Sequence, residues 1–128
     1  MKQSNKFSGI IRFILFTVAI LSLVKMSNSQ NWVSQTSGTT NTLHAVWFLD
    51  LQKGFAVGDL GTIRYTTNSG TSWLAINGVT NEDLHDVVFL NTSTGIIVGD
   101  NGRVYRSTNG GTTWVQQSSG VTNNLRTV

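Results

Sequence analysis

LHAVWFLDLQKGFAVGDLGTIRYTTNSGTSWLAINGVTNED, residues 43–83, runs without a gap into LHDVVFLNTSTGIIVGDNGRVYRSTNGGTTWVQQSSGVTNN, residues 84–124. Laid over one another, the two stretches share 15 identities in 41 positions. Chance gives about two or three at ordinary residue usage. The chain therefore contains an internal repeat, and a period of this size signals a solenoid, a propeller or an array. Other residues keep the same beat. Trp32, Trp73 and Trp114 are spaced by one period, Leu43-His44 recurs as Leu84-His85, and Gly58-Asp59 recurs as Gly99-Asp100.

Each period holds four short runs of strand character: 43–49, 54–58, 62–67 and 71–76, then 84–90, 95–99, 103–108 and 112–117. They are rich in Val, Ile, Thr, Phe, Tyr and Trp, as strands are. Turn signals separate them, namely Gly-Asp-Leu-Gly (58–61), Asn-Ser-Gly (68–70), Gly-Asp-Asn-Gly (99–102) and Asn-Gly-Gly (109–111). Connections this short imply antiparallel hairpins. The chain has no proline, so every backbone N–H can join a ladder. A four-stranded antiparallel unit of about 40 residues, repeated in tandem, describes a β-propeller blade. The expected fold is all-β, with 43–83 as one blade and 84–124 as a second.

The ends differ in kind from the repeats. Lys2, Lys6 and Arg12 open the chain with positive charge, Phe13 to Val24 is apolar and uncharged, and Ser27 and Ser29 place small residues ahead of Gln30. This is the layout of a secretory signal peptide over 1–29. The apolar run is shorter than the ~20 residues of a spanning helix, which favours cleavage over an uncleaved anchor. An extracytoplasmic location (secreted, periplasmic or cell-surface) is expected, with no membrane span after cleavage. Trp32 stands at the place of a fourth strand with no first three strands before it. Residues 30–42 are therefore expected to be a lone outer strand used for ring closing, left without its partners here. Leu125-Arg126-Thr127-Val128 takes up the pattern again, so 125–128 read as the start of a truncated third blade, and the chain as a fragment of a longer protein.

The leader also accounts for the charge. The chain carries a net +3, but Lys2, Lys6, Arg12 and Lys25 lie before residue 30. Residues 30–128 hold five basic and six acidic side chains, a net charge of −1. The positive balance belongs to export and predicts no nucleic-acid partner. There is no cysteine, hence no disulfide framework and no thiolate metal site.

Thr66-Thr67-Asn68-Ser69-Gly70-Thr71-Ser72-Trp73 and Ser107-Thr108-Asn109-Gly110-Gly111-Thr112-Thr113-Trp114 resemble the Asp-box, or BNR repeat, Ser/Thr-x-Asp-x-Gly-x-Thr-Trp. Both carry Asn where the box has Asp, and the first has Ser72 where Thr is usual. With the upstream Leu-His-x-Val-x-Phe and Gly-x-x-Val-Gly-Asp-x-Gly, the pattern over 43–128 looks most like the photosystem II stability/assembly factor family. The resemblance implies a propeller that meets a client polypeptide. Within the box, Asn68 and Asn109 suit bonding to backbone N–H groups nearby. Gly70 and Gly111 supply positive φ, Thr66 and Ser107 add hydroxyl bonds, and Trp73 and Trp114 anchor the hairpin. These are structural residues.

Other residues invite a functional reading beside a plainer one. His44, His85 and Arg126 are equivalent positions and form a candidate ligand-facing ring; otherwise they are strand residues that bond locally, the two histidines a blade apart. Asp59 and Asp100 recur in a turn, where an aspartate bonds its own backbone. Glu82, Asp83 and Asp86 read as a solvated loop. Arg64, Arg103 and Arg106 lie on third strands and serve solubility. Asn91-Thr92-Ser93 is a glycosylation sequon. No nucleophile motif, metal-ligand spacing or phosphate loop stands in the sequence, and no cofactor is expected. The expectation is an exported, non-catalytic interaction or assembly platform, with a protein or polysaccharide ligand at a propeller end. The alternative is a sialidase- or xyloglucanase-like glycoside hydrolase whose catalytic residues lie in missing blades. The sialidase Phe/Tyr-Arg-Ile-Pro motif is absent here.

Overall fold

The computed structural model describes residues 33–128; the leader over 1–29 and Trp32 lie outside them. The described strands form two antiparallel sheets of four, one per repeat, each in simple up-and-down order. The first holds β1 (Leu43–Phe48), β2 (Gly54–Gly58), β3 (Thr62–Thr66) and β4 (Leu74–Ile76). The second holds β5 (Leu84–Phe89), β6 (Gly95–Gly99), β7 (Val104–Ser107) and β8 (Val115–Gln117). Two short 3-10 turns, Asp59–Gly61 and Asp100–Gly102, join the second and third strands of each sheet. These are two blades of a propeller, as the repeat implies.

The outer strands are shorter than the sequence suggests. Residues 71–73 and 112–114 belong to the box turns, because Asn68 and Asn109 take up the N–H groups of Ser72 and Thr113 before the ladder begins. Residues 33–42, expected as an outer strand without partners, form no strand. They are held instead by Arg64, whose Nη2 donates to the Gly38 carbonyl at 2.6 Å. Residues 125–128 also form no strand, though the Leu125 N–H donates to the Gly99 carbonyl at 3.0 Å.

The core is the seam between the two sheets. Phe55, Val57 and Ile63 of the first meet Leu84, Val87, Phe89, Ile97, Tyr105 and Trp114 of the second. Phe55 is 1% exposed. Its ring stacks on Phe89 at 4.9 Å and meets Trp114 edge-on at 6.2 Å. Gly111 makes room for it, because a methyl there would overlap the Phe55 ring. No further sheet packs against the other faces of the two sheets among the described residues. Val87 and Phe89 are 1% and 7% exposed, while Val46 and Phe48, one period earlier, are 59% and 44% exposed. The same residue types in the same register differ only because nothing covers the first sheet's outer face among the described residues.

A transposition between the repeats has the same cause. Ile63-Arg64-Tyr65 aligns with Val104-Tyr105-Arg106. Successive strand residues point to opposite faces. Tyr65 on β3 therefore faces the second sheet and Tyr105 on β7 faces the first, and both pack on the shared core. Arg64 and Arg106 take the outward faces. Each blade directs its tyrosine into the seam and its arginine away from it.

Candidate functional site

The two histidines owe their position to backbone irregularity. The β1–β2 ladder shifts register between Leu43 and Ala45, and the β5–β6 ladder between Leu84 and Asp86. His44 and His85 are the extra residues of these bulges, and a bulge re-aims its side chain. His44 Nε2 donates to Asp59 Oδ1 at 2.5 Å, and His85 Nε2 to Asp100 Oδ1 at 2.6 Å. The two rings lie side by side, with centroids 5.4 Å apart and planes tilted by 53°. His44 is 33% exposed at its side chain, His85 only 9%. The structure thus brings together two histidines that sequence reasoning placed a blade apart, and it adds both aspartates. It joins Arg126 to them by no bond, and that residue stands exposed.

The aspartate carboxylates do not bond their own backbone, contrary to expectation. Their turns are held by the linkers that enter each blade. The Asp59 N–H donates to the Thr42 carbonyl at 3.0 Å, and the Asp100 N–H to the Asp83 carbonyl at 2.9 Å. The next residues, Leu60 and Asn101, sit at φ 54° and 55°, and donate their N–H groups to Asp83 Oδ1 and Asn124 Oδ1 at 2.9 and 3.1 Å. With the turn satisfied from outside, each carboxylate is free to meet its histidine. The hydrogen bond from His44, helped by the Thr42 hydroxyl, holds the Asp59 carboxyl below its usual range despite some desolvation.

The acidic cluster is likewise more than a solvated loop. Asp83 braces the Leu60 turn of the preceding blade. Glu82 Oε2 accepts from Asn101 Nδ2 at 2.9 Å, and Glu82 Oε1 lies 3.8 Å from the Arg103 guanidinium. Asp86 Oδ2 accepts from Thr127 Oγ1 and the Val128 N–H, each at 3.0 Å. The equivalence of Asp83 with Asn124, two residues able to offer the same side-chain oxygen, was the signal for this bracing. Arg103 therefore has a partner at this end, and Arg106 stands exposed on β7.

The Asp-box residues lie at the opposite end, since β3 and β7 run from the aspartate turns to the boxes. Thr66 Oγ1 donates to Asn68 Oδ1 at 2.9 Å and accepts from the N–H groups of Asn68 and Gly70 at 3.2 and 3.0 Å. Asn68 Oδ1 accepts from the Ser72 N–H at 3.0 Å, and Asn68 Nδ2 donates to Ser72 Oγ at 2.9 Å. Ser107, Asn109, Gly111 and Thr113 repeat every one of these bonds within 0.1 Å. Asn in the aspartate's place is satisfied because the hydroxyl of Ser72 or Thr113 accepts its extra donor. Gly70 and Gly111 sit at φ 84° and 82°. Trp114 is 9% exposed. Trp73, half-buried, meets Phe48 edge-on at 6.0 Å, and no Phe55 equivalent covers it among the described residues.

Among the described residues, no group of three or more His, Cys, Asp or Glu converges to hold a metal ion. No helix of the described residues is long and apolar enough to cross a membrane. No protein-family model and no curated protein matches the sequence. Among solved structures, the chain is similar to "YCF48 bound to D1 peptide", with a TM-score of 0.69 and 25% identity. The match covers 78% of this chain and 34% of that one, so the chain spans about a third of that structure's length. YCF48 is a photosystem II assembly factor and a β-propeller. The described residues thus form two blades of a β-propeller that resembles the photosystem II stability/assembly factor.

Proposed function

We propose that this chain is part of an exported, non-catalytic β-propeller that serves as a protein-interaction platform of the assembly-factor kind. One observation carries the reading: its fold is that of a propeller solved with a bound peptide. The end bearing His44–Asp59 and His85–Asp100 is the site we assign to a polypeptide partner. There the inner strands begin, the linkers cross between blades, and two imidazoles stand in contact. Loops on a rigid scaffold are the usual place for recognition. The leader over 1–29 supports delivery across a membrane.

The test uses the natural protein with its leader. Cell fractionation in its host should recover the protein outside the cytoplasm; recovery in the cytoplasm contradicts export. The purified protein should retain members of a random peptide library, and His44→Ala with His85→Ala should weaken that retention. Asn68→Asp, at the far end, should leave it unchanged. Turnover of aryl glycosides or sialosides would instead establish the glycoside hydrolase alternative.

A further inference from the structure

We infer that Asn77 is a site of spontaneous deamidation and isoaspartate formation, singled out by the fold from three Asn-Gly pairs. The pairs are Asn77-Gly78, Asn101-Gly102 and Asn109-Gly110. In the reaction the backbone nitrogen of the glycine attacks the asparagine Cγ. The new N–Cγ bond closes a succinimide, the Cγ–Nδ2 bond breaks, ammonia leaves, and the proton of the glycine nitrogen passes to solvent. Water then opens the ring at either carbonyl and leaves aspartate or isoaspartate. Glycine favours the step because it has no side chain to hinder attack. The step also requires a free glycine N–H and an asparagine amide that can swing onto it.

The structure withholds both conditions from one of the other pairs and ties down the asparagine amide of the second. At Asn109-Gly110 the Gly110 N–H donates to the Ser93 carbonyl at 2.8 Å. The Asn109 amide is committed to Ser107 and Thr113 through the box. At Asn101-Gly102 the side chain donates to Glu82 Oε2 at 2.9 Å, and Gly102 is buried. Asn77 and Gly78 are both exposed, and neither makes a hydrogen bond among the described residues. A methyl group placed at Gly78 would meet nothing within 4 Å.

The repeat supplies an internal control. Gly38, Gly78 and Gly120 are the turn glycines of successive linkers, at φ 73°, 79° and 74°. The residues before them are Ser37, Asn77 and Ser119. Ser37 Oγ donates to the Thr39 carbonyl at 3.1 Å, and Ser119 Oγ to the Val121 carbonyl at 3.1 Å. Asn77 replaces this hydroxyl and makes neither bond. Its conversion to isoaspartate adds a methylene to the main chain of the linker joining β4 to β5. It also adds a negative charge to the segment that carries Glu82 and Asp83.

The experiment incubates the full chain at mildly alkaline pH and 37 °C. Tandem mass spectrometry assigns the mass gain of about one dalton to a residue, and enzymatic methyl transfer reports isoaspartate. Asn77 should convert severalfold faster than Asn101 and Asn109, and the three rates should converge in denaturant. Asn77→Ser should remove the fast phase while leaving the unfolding midpoint unchanged. Equal rates in the folded chain, or faster conversion at Asn101 or Asn109, would overturn the inference.

Discussion

Phe55→Ala is the sharpest test of the seam between the blades. The Phe55 side chain is 1% exposed and touches Phe89 and Trp114 across the seam and Tyr65 within its own sheet. Truncating a buried phenylalanine costs about 3–5 kcal/mol, including the cavity left behind. The two cross-seam aromatic pairs place this site in the upper half of that range, since each contributes about 0.5–1.5 kcal/mol beyond area. For a domain of this size, 1 kcal/mol shifts the melting temperature by roughly 4–8 °C, so the variant should melt at least about 15 °C lower. The control is Ile96→Ala. Ile96 is the repeat equivalent of Phe55 on β6, but it is half-buried and faces no further blade among the described residues. Its truncation should fall near or below the ~2 kcal/mol lower end for Ile→Ala. Thermal and urea unfolding followed by near-ultraviolet circular dichroism reads both, because Trp114 lies in the seam. Equal losses at Phe55 and Ile96, or a loss below about 1 kcal/mol at Phe55, would refute the assignment of the core to this seam.

Other perturbations probe separate parts of the account. Gly111→Ala forces both a methyl into the Phe55 ring and an L-residue to φ 82°; overpacking alone costs about 1–3 kcal/mol. Gly78→Ala, at φ 79° in open space, should lose only the roughly 1–2 kcal/mol of left-handed strain, as urea midpoints would show. Asn109→Ala strips the acceptor of the Thr113 N–H and the Ser107 hydroxyl, a loss of about 1–3 kcal/mol, whereas Asn109→Asp keeps that acceptor and should melt close to the parent. Asp59 is held below its usual range by His44. Its contribution is therefore present above its unfolded pKa and lost as pH falls through the lower folded value. Unfolding midpoints should drop more steeply for the parent than for Asp59→Asn below roughly pH 4; parallel curves would contradict the pairing.

The fold was legible because its signals repeat. Trp73 and Trp114, Gly70 and Gly111, and the paired apolar strands each appear twice, and one period explains both. Strand ends were less legible, since nothing in the spacing of 71–76 shows that Asn68 takes the Ser72 N–H away from the ladder. The candidate site was half legible. His44, His85, Asp59 and Asp100 stood out by recurrence, but their pairing depends on a bulge, and a bulge leaves no residue signature at these positions. The bracing by Asp83 was hidden for a different reason. Its equivalent is Asn124, so an identity count scores as a mismatch two residues that make the same bond. Tyr65 and Tyr105 were obscured in the same way, because blade packing rewards the face a residue occupies rather than its place in the repeat.

The measurement that bears most directly on the proposed platform is hydrogen exchange on the natural protein, with and without a peptide selected from a random library. The account predicts new protection at 42–44, 58–61, 83–86 and 99–102, around the two His–Asp pairs. It predicts none in the box hairpins at 66–73 and 107–114. Protection confined to the box hairpins, or spread along the outer strands β4 and β8, would contradict it.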